Sequence, residues 1–194
     1  MHSKYTKRRA ELAGSLRGRI LDCGSGDNFY AGLLQQSGEE VVSLDVDLGA
    51  LASARPAAVA ASCARLPFVD DAFDAVWACA IIEHVREACL PEMIRVTRPG
   101  GRVVVITPNR YSPFDAMKRV LGLRAWNENE GHVRLYDCDA LRAYGPVHGE
   151  TWFVPLCGWL FWRCPRLAHV LVQDLHVTGS LKAKARRMRP SRLV

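Results

Sequence analysis

The sequence predicts an α/β fold built on a mostly parallel sheet, and three observations carry that prediction. Short apolar strand-like runs alternate with helix-like segments between Arg19 and Thr107, the pattern that gives right-handed crossovers and parallel strands. The stretch Arg19 to Asp47 reads strand, glycine turn, helix, strand, with an acid at the tip of each strand, Asp22 and Asp45. Phe73 to Cys79 is an apolar run that fits a strand covered on both faces.

The leading segment is polar and basic, with Leu12 and Leu16 one helical turn apart. It is expected to form a helix that covers a ligand site or the sheet edge. The first strand is expected over Arg19 to Asp22, and the turn Cys23-Gly24-Ser25-Gly26-Asp27-Asn28 follows it. Gly24 and Gly26 let the backbone fold tightly and let a ligand approach where a Cβ would clash. Asn28 stands near the place of a third glycine, and Asn tolerates positive φ better than most residues. A helix then runs from Phe29 to Ser37, ended by Gly38, and a second strand covers Val41 to Leu44. Asp45 lies far enough beyond the glycines to accept hydrogen bonds from ribose hydroxyls, with Asp47 as the rival acid or as a helix cap.

The nucleotide class follows from what the turn lacks. A dinucleotide fingerprint needs glycine where this chain has Phe29, and no G-K-[ST] appears, which excludes a phosphate-binding loop. Asp22 and Asp27 flank the turn; they would repel a pyrophosphate and suit a ligand with a cationic amino-acid end.

Further motifs follow in order. Leu66-Pro67-Phe68-Val69-Asp70-Asp71-Ala72-Phe73-Asp74 precedes the apolar strand, and Ile82-Glu83-His84-Val85 follows it. Arg95-Val96-Thr97-Arg98-Pro99-Gly100-Gly101-Arg102 and Thr107-Pro108-Asn109 come next, then Gly131-His132-Val133-Arg134. Together with LDCGSGDN and VVSLDVD, this set resembles the class I, Rossmann-like methyltransferases that use S-adenosylmethionine, and among them the methyltransferase type 11 family. The resemblance runs from about Arg19 to Asn109. It implies a Rossmann-like three-layer sandwich with a seven-stranded, mostly parallel sheet and an antiparallel last strand.

The resemblance also implies S-adenosyl-L-methionine as cofactor, with S-adenosyl-L-homocysteine as product. The expected cofactor-binding residues are Asp22, Gly24, Ser25, Gly26, Asp45, Val46, Ser62, Cys63, Ala64 and Ala80. Ser62 stands where the family usually has an aspartate for the adenine amino group, so the adenine contact here falls to an uncharged acceptor and to the Cys63 amide. Methyl transfer is an in-line displacement in which proximity and orientation do most of the work. An oxygen acceptor gains from a general base; His132 and His84 are the catalytic candidates, with His148 and Tyr111 behind them.

Composition sets the bounds. A chain of 194 residues, 49% hydrophobic, suits a single domain with a proper core. The expected parts are a leading helix over 1–18, a cofactor-binding core over 19–109, and acceptor-side segments with C-terminal strands and a basic tail over 110–194. The net charge of +6 sits largely in Lys4 to Arg9 and Lys182 to Arg192, expected as solvated tails or as a weak contact for anionic lipid or nucleic acid. Seven cysteines without a C-x-x-C pair read as thiols in a reducing compartment, no zinc spacing appears, and no metal site is expected. The polar N-terminus does not read as a signal peptide, and the longest uncharged apolar run, Trp152 to Trp162, is too short to span a bilayer. A cytoplasmic enzyme is expected.

The remaining elements are a short helix after Asp47, a third strand from Ala57 to Ala61, a helix from Glu83 to Thr97 broken by Pro99-Gly100-Gly101, and a fifth strand from Arg102 to Thr107. Helices over Phe114 to Leu121 and Asp137 to Tyr144, a strand over Val147 to Val154, and a last strand over His176 to Ala185 complete the chain. Aromatic residues concentrate late, at Trp126, Trp152, Phe153, Trp159, Phe161 and Trp162; they form core or a hydrophobic acceptor pocket. The leading expectation is methylation of a small, hydrophobic or lipid- or glycan-linked acceptor, with a peripheral membrane contact and without nucleic acid. The competing readings are an RNA methyltransferase and a non-catalytic partner of another methyltransferase.

Overall fold

A computed structural model of the chain describes residues 7–35, 39–52, 57–123, 131–150, 163–168 and 170–188. The strands are β1 (Arg19–Cys23), β2 (Glu40–Asp45), β3 (Ala57–Ala60), β4 (Phe73–Cys79), β5 (Thr97–Pro108), β6 (His148–Glu150) and β7 (Val170–His176). They form one sheet in the order β3-β2-β1-β4-β5-β7-β6. β1 to β5 run parallel, and β7 runs antiparallel to both β5 and β6. This is the Rossmann-like architecture expected, and the order reverses at β1, where β1 lies between β2 and β4.

The helices are α1 (Lys7–Gly14), α2 (Phe29–Gln35), α3 (Leu48–Leu51), α4 (Leu90–Val96), α5 (Pro113–Val120), α6 (Cys138–Arg142) and α7 (Gly179–Met188). They cover both faces, because strand residues alternate between two separate cores. Leu21, Val76, Ala78, Val103 and Val105 point into one, with Met93 and Ile94 of α4 and Leu181 of α7. Ile20, Ala75, Trp77, Val104 and Ile106 point into the other, with Ala13 and Leu16 of the leading segment and Tyr30 and Leu34 of α2. Apolar side chains on both alternating sets of strand positions are what a sheet buried on both faces requires.

Four expectations are corrected. The helix from Glu83 to Thr97 is instead a single 3-10 turn, Ile82–His84, and the separate helix α4. Pro91 explains the break: it has no N–H, and its ring clashes with the carbonyl four residues back, so no helix passes through it from Glu83. Pro99-Gly100-Gly101 lies inside the irregular start of β5, where the register against β4 shifts between Phe73 and Ala75.

The last strand is β7, six residues earlier than expected, and the residues after Thr178 form α7. The Thr178 hydroxyl accepts from the Leu181 amide at 3.1 Å, a helix-start contact. Leu181 and Ala185, four apart, are the buried stripe.

The basic ends are not simply solvated. Arg9 is buried and its Nε donates to Glu150 Oε2 at 2.7 Å. The Lys182 ammonium is buried against Asp71 and donates to the carbonyls of Arg95 and Thr97. The cap expected at Gly38 and the aromatic residues Trp126, Trp152, Phe153, Trp159, Phe161 and Trp162 lie outside the described residues.

Two motifs turn out to be internal braces. Arg95 donates to the Leu66 and Phe68 carbonyls at 2.9 and 2.6 Å and pairs with Glu92 and Asp70, which fixes the loop before β4. Asn109, at the end of β5, donates to the Ala168 carbonyl at 2.8 Å and accepts from the Tyr111 amide at 3.1 Å. Among the described residues no helix is long and apolar enough to cross a membrane.

Candidate active site at the strand ends

The turn after β1 is fixed by backbone geometry. The amides of Gly24 and Ser25 both donate to the Leu44 carbonyl, at 2.7 and 3.0 Å. Gly24 has φ +77°, and a Cβ there would lie 2.5 Å from Ile81 Cγ1, so only glycine fits between the turn and the end of β4. Gly26 has φ +49° and nothing within 4 Å of a Cβ position: its flank is open space. Asn28 has φ +57°, as its residue type permits, and its Nδ2 donates to the Ala50 carbonyl at 2.8 Å.

The two acids play different parts. Asp45 Oδ2 accepts from the Gly26 amide at 2.9 Å and Oδ1 from the Asp47 amide at 3.0 Å. Those bonds aim a half-exposed carboxylate across the turn. Asp47 accepts from the Gly49 amide and caps α3, the helix-cap role the sequence offered for it. Val46, between them, is exposed.

Asp22 is buried, and burial pushes its carboxyl up to about 7 against the help of a hydrogen bond from the Ala31 amide. Its Oδ2 and the Ser25 hydroxyl are both buried without a hydrogen-bond partner. Orphaned polar atoms at the tip of β1 are what a polar ligand end would satisfy.

After β3, Ala61 donates its amide to the Asp45 carbonyl at 3.0 Å, and the Ser62 hydroxyl accepts from the Ala64 amide at 3.3 Å. The Cys63 thiol turns inward, with Sγ 2.7 Å from Cys89 Sγ. The thiols of Cys23 and Cys89 are both pushed up, first by hydrogen bonding to Cys63. Only the backbone of Cys63 therefore remains for a ligand. Leu66 joins the core, and Phe68 packs edge-on against Phe73 at 4.8 Å between centroids.

Ala80 follows β4 directly with φ +57° while its amide donates to the Ile106 carbonyl at 2.8 Å. A left-handed alanine costs about 1–2 kcal/mol, and such strain gathers at functional sites. His84 and His132, far apart in sequence, meet just beyond, with ring centroids 4.8 Å apart at 64°.

The sequence marks Glu83 as the start of a helix and as part of the Ile82-Glu83-His84-Val85 motif. It is buried, accepts from the Thr107 hydroxyl at 3.0 Å, and is pushed up to about 7 by burial. Its position after Ile82, at the end of an apolar strand, gave no sign of burial. His148 sits on edge strand β6 opposite Val172, apart from the His84–His132 pair, and Tyr111 is 65% exposed.

The arrangement fits an adenosine-type cofactor with a cationic amino-acid end: an aimed carboxylate on β2, an open-flanked turn after β1, and orphaned polar atoms on Asp22 and Ser25. A family model described as a methyltransferase domain matches residues 21–105. A demethylmenaquinone methyltransferase of Beutenbergia cavernae is 42% identical over 51% of this chain and 45% of its own. One from Mycobacterium sp. strain KMS is 34% identical over 75% of this chain and 70% of its own. The chain thus spans less than half of the first of these relatives. Among solved structures, a Haloferax volcanii complex of the Trm112 methyltransferase activator with a candidate methyltransferase shares the fold, with TM-score 0.66 at 16% identity over 90% of this chain and 89% of that one.

Proposed function

The chain belongs to the class I, Rossmann-like S-adenosylmethionine-dependent methyltransferases, and from that premise we propose that it methylates a small-molecule acceptor. The observation that carries this reading is the Asp45 carboxylate held across the Gly24–Gly26 turn by two backbone amides. In that place it accepts from the ribose hydroxyls of S-adenosylmethionine. Asp22 and the Ser25 hydroxyl face the amino-acid end, Asp22 through water. Val46, Ser62, the Cys63 amide, Ala64 and Ala80 border the nucleoside. The bound cofactor supplies a methyl group on a cationic sulfonium.

The chain's own residues then hold the acceptor in line and take its proton. His132, beside His84 at the end of β4, is the proton acceptor in this reading, and orientation supplies most of the rate. The relatives named demethylmenaquinone methyltransferase support a small-molecule acceptor, free or lipid-linked. Arg9 and Lys182, two of the basic residues that raised the RNA reading, are engaged inside the fold, which favours the small molecule.

The test is calorimetric titration with S-adenosylmethionine and S-adenosylhomocysteine, followed by transfer of labelled methyl groups to a panel that includes demethylated quinols. Binding of both ligands with turnover of one acceptor is expected. Absence of binding by either ligand would overturn the reading.

A further inference from the structure

Glu83, His84 and His132 are drawn together by the backbone. The amides of Val133 and Arg134 both donate to the Glu83 carbonyl, at 2.9 and 3.0 Å. His84 Nδ1 lies 2.9 Å from the Gly131 carbonyl oxygen. Gly131 makes that approach possible: its φ is +93°, and a Cβ there would stand only 3.3 Å from the same ring nitrogen. As a result one carboxylate oxygen of Glu83 and one ring nitrogen from each histidine all lie within 4.8 Å of one another.

The surrounding hydrogen bonds engage one polar atom each of His84 and Glu83 and leave the other open. A carbonyl can only accept, so Nδ1 of His84 is the donor and Nε2 keeps its lone pair. The Thr107 hydroxyl occupies Glu83 Oε2. Glu83 Oε1 is left buried without a hydrogen-bond partner, in a residue only 1% exposed. A metal-binding histidine or carboxylate characteristically has its other atom held by such an outer partner.

We propose that Glu83, His84 and His132 bind one divalent cation of the zinc class. Two imidazoles and a carboxylate suit Zn2+, Fe2+ or Mn2+, whereas Mg2+ and Ca2+ prefer oxygen donors. Donors about 2.0–2.2 Å from an ion stand roughly 3.4 Å apart in a tetrahedral set, so small side-chain rotations close the site. Three protein ligands leave a coordination position open, and exposed His84 puts the site within reach of solvent. The ion needs neither cofactor nor acceptor, so its binding can be tested independently of the methyl-transfer reading, although the two share His132. It competes with the base role of His132, because a bound ion engages the lone pair that a base requires.

The test is titration of reduced, chelator-treated protein with Zn2+, beside His84→Ala, His132→Ala, Glu83→Gln and the control His176→Ala. Thiols offer rival zinc ligands, so the series is repeated with Mn2+, which favours oxygen and nitrogen donors, read by the paramagnetic signal of the free ion. One equivalent bound by the wild type is expected, with affinity at least ~10-fold lower in each of the first three variants and unchanged in the control. Thermal melts establish that the histidine variants, at exposed and half-exposed positions, remain folded. Equal affinity of the wild type and both histidine variants for the two ions would overturn the proposal, as would no binding of either ion.

Discussion

The amide of Gly26 donates to Asp45 Oδ2 at 2.9 Å, tying the turn after β1 to the end of β2. Replacing the carboxylate should therefore act on cofactor binding before it acts on the fold. Asp45→Asn keeps an acceptor oxygen for Gly26 and loses the charge; Asp45→Ala loses both. Hydrogen bonds to charged groups contribute about 1.5–3 kcal/mol, so Asp45→Ala should weaken S-adenosylhomocysteine binding roughly 10- to 100-fold, and Asp45→Asn less. Calorimetry on the two variants checks this. Wild-type affinity in Asp45→Ala would remove the carboxylate from the binding site.

Asp22 predicts a proton linkage. Its carboxyl is raised from 3.8 to about 7, chiefly by burial. Below pH 3.8 both folded and unfolded chains carry the proton, and the stabilising effect is fully present. As pH rises toward 7 the unfolded chain gives up the proton first, so stability falls, by roughly 4 kcal/mol in all. Above that the loss is complete. Asp22→Asn should flatten this slope and melt higher than the wild type at pH 8. A cationic ligand end beside Asp22 favours the carboxylate, so cofactor binding near pH 6 should release a proton. Titrations in buffers of different ionisation enthalpy read that release, and proton uptake would contradict it.

Ala80 holds φ +57° directly after β4. Glycine in its place removes about 1–2 kcal/mol of left-handed strain and gives back about 0.5–1 kcal/mol through the more flexible unfolded chain. Ala80→Gly should therefore stabilise by about 0.5–1 kcal/mol, against the usual sign for glycine in a strand end. A chemical denaturation midpoint that falls instead would show that this backbone is not held left-handed.

The parallel core was legible because its signals are local. Glycines at 24 and 26, acids at 22 and 45, and the apolar run from Phe73 to Cys79 each report their own strand or turn. The strand from His176 to Ala185 was misread because partial alternation outweighed the Leu181–Ala185 spacing and the Thr178 cap. The helix from Glu83 was misread because its apolar positions continue past Pro91, which local periodicity does not penalise. Glu83 beside His132 could not be seen at all: that contact is made by the amides of Val133 and Arg134 on one carbonyl, and backbone bonds between distant segments leave no residue pattern. For the same reason the lack of any zinc spacing, from which no metal is expected, does not bear on a ligand set assembled from two separate segments.

Lys182 gives the sharpest contrast between a solvated tail and a packed one. It lies among basic residues that read as tail, yet its side chain is 10% exposed and contacts Asp71. Its ammonium donates to the Thr97 carbonyl at 2.8 Å and the Arg95 carbonyl at 3.1 Å, joining α7 to the end of α4 and the start of β5. Lys182→Met keeps the apolar stem and removes all three bonds, leaving two backbone carbonyls without this donor. The cost should be about 2–4 kcal/mol, a fall of roughly 5–15 °C in melting temperature for a chain of this size. Lys184, two residues on in the same helix, is exposed, and Lys184→Met should stay within about 0.5 kcal/mol of the wild type. Because the Lys182 contacts are largely buried, added salt should not narrow the gap between the two variants. Equal melting of both variants would return α7 to a solvated tail.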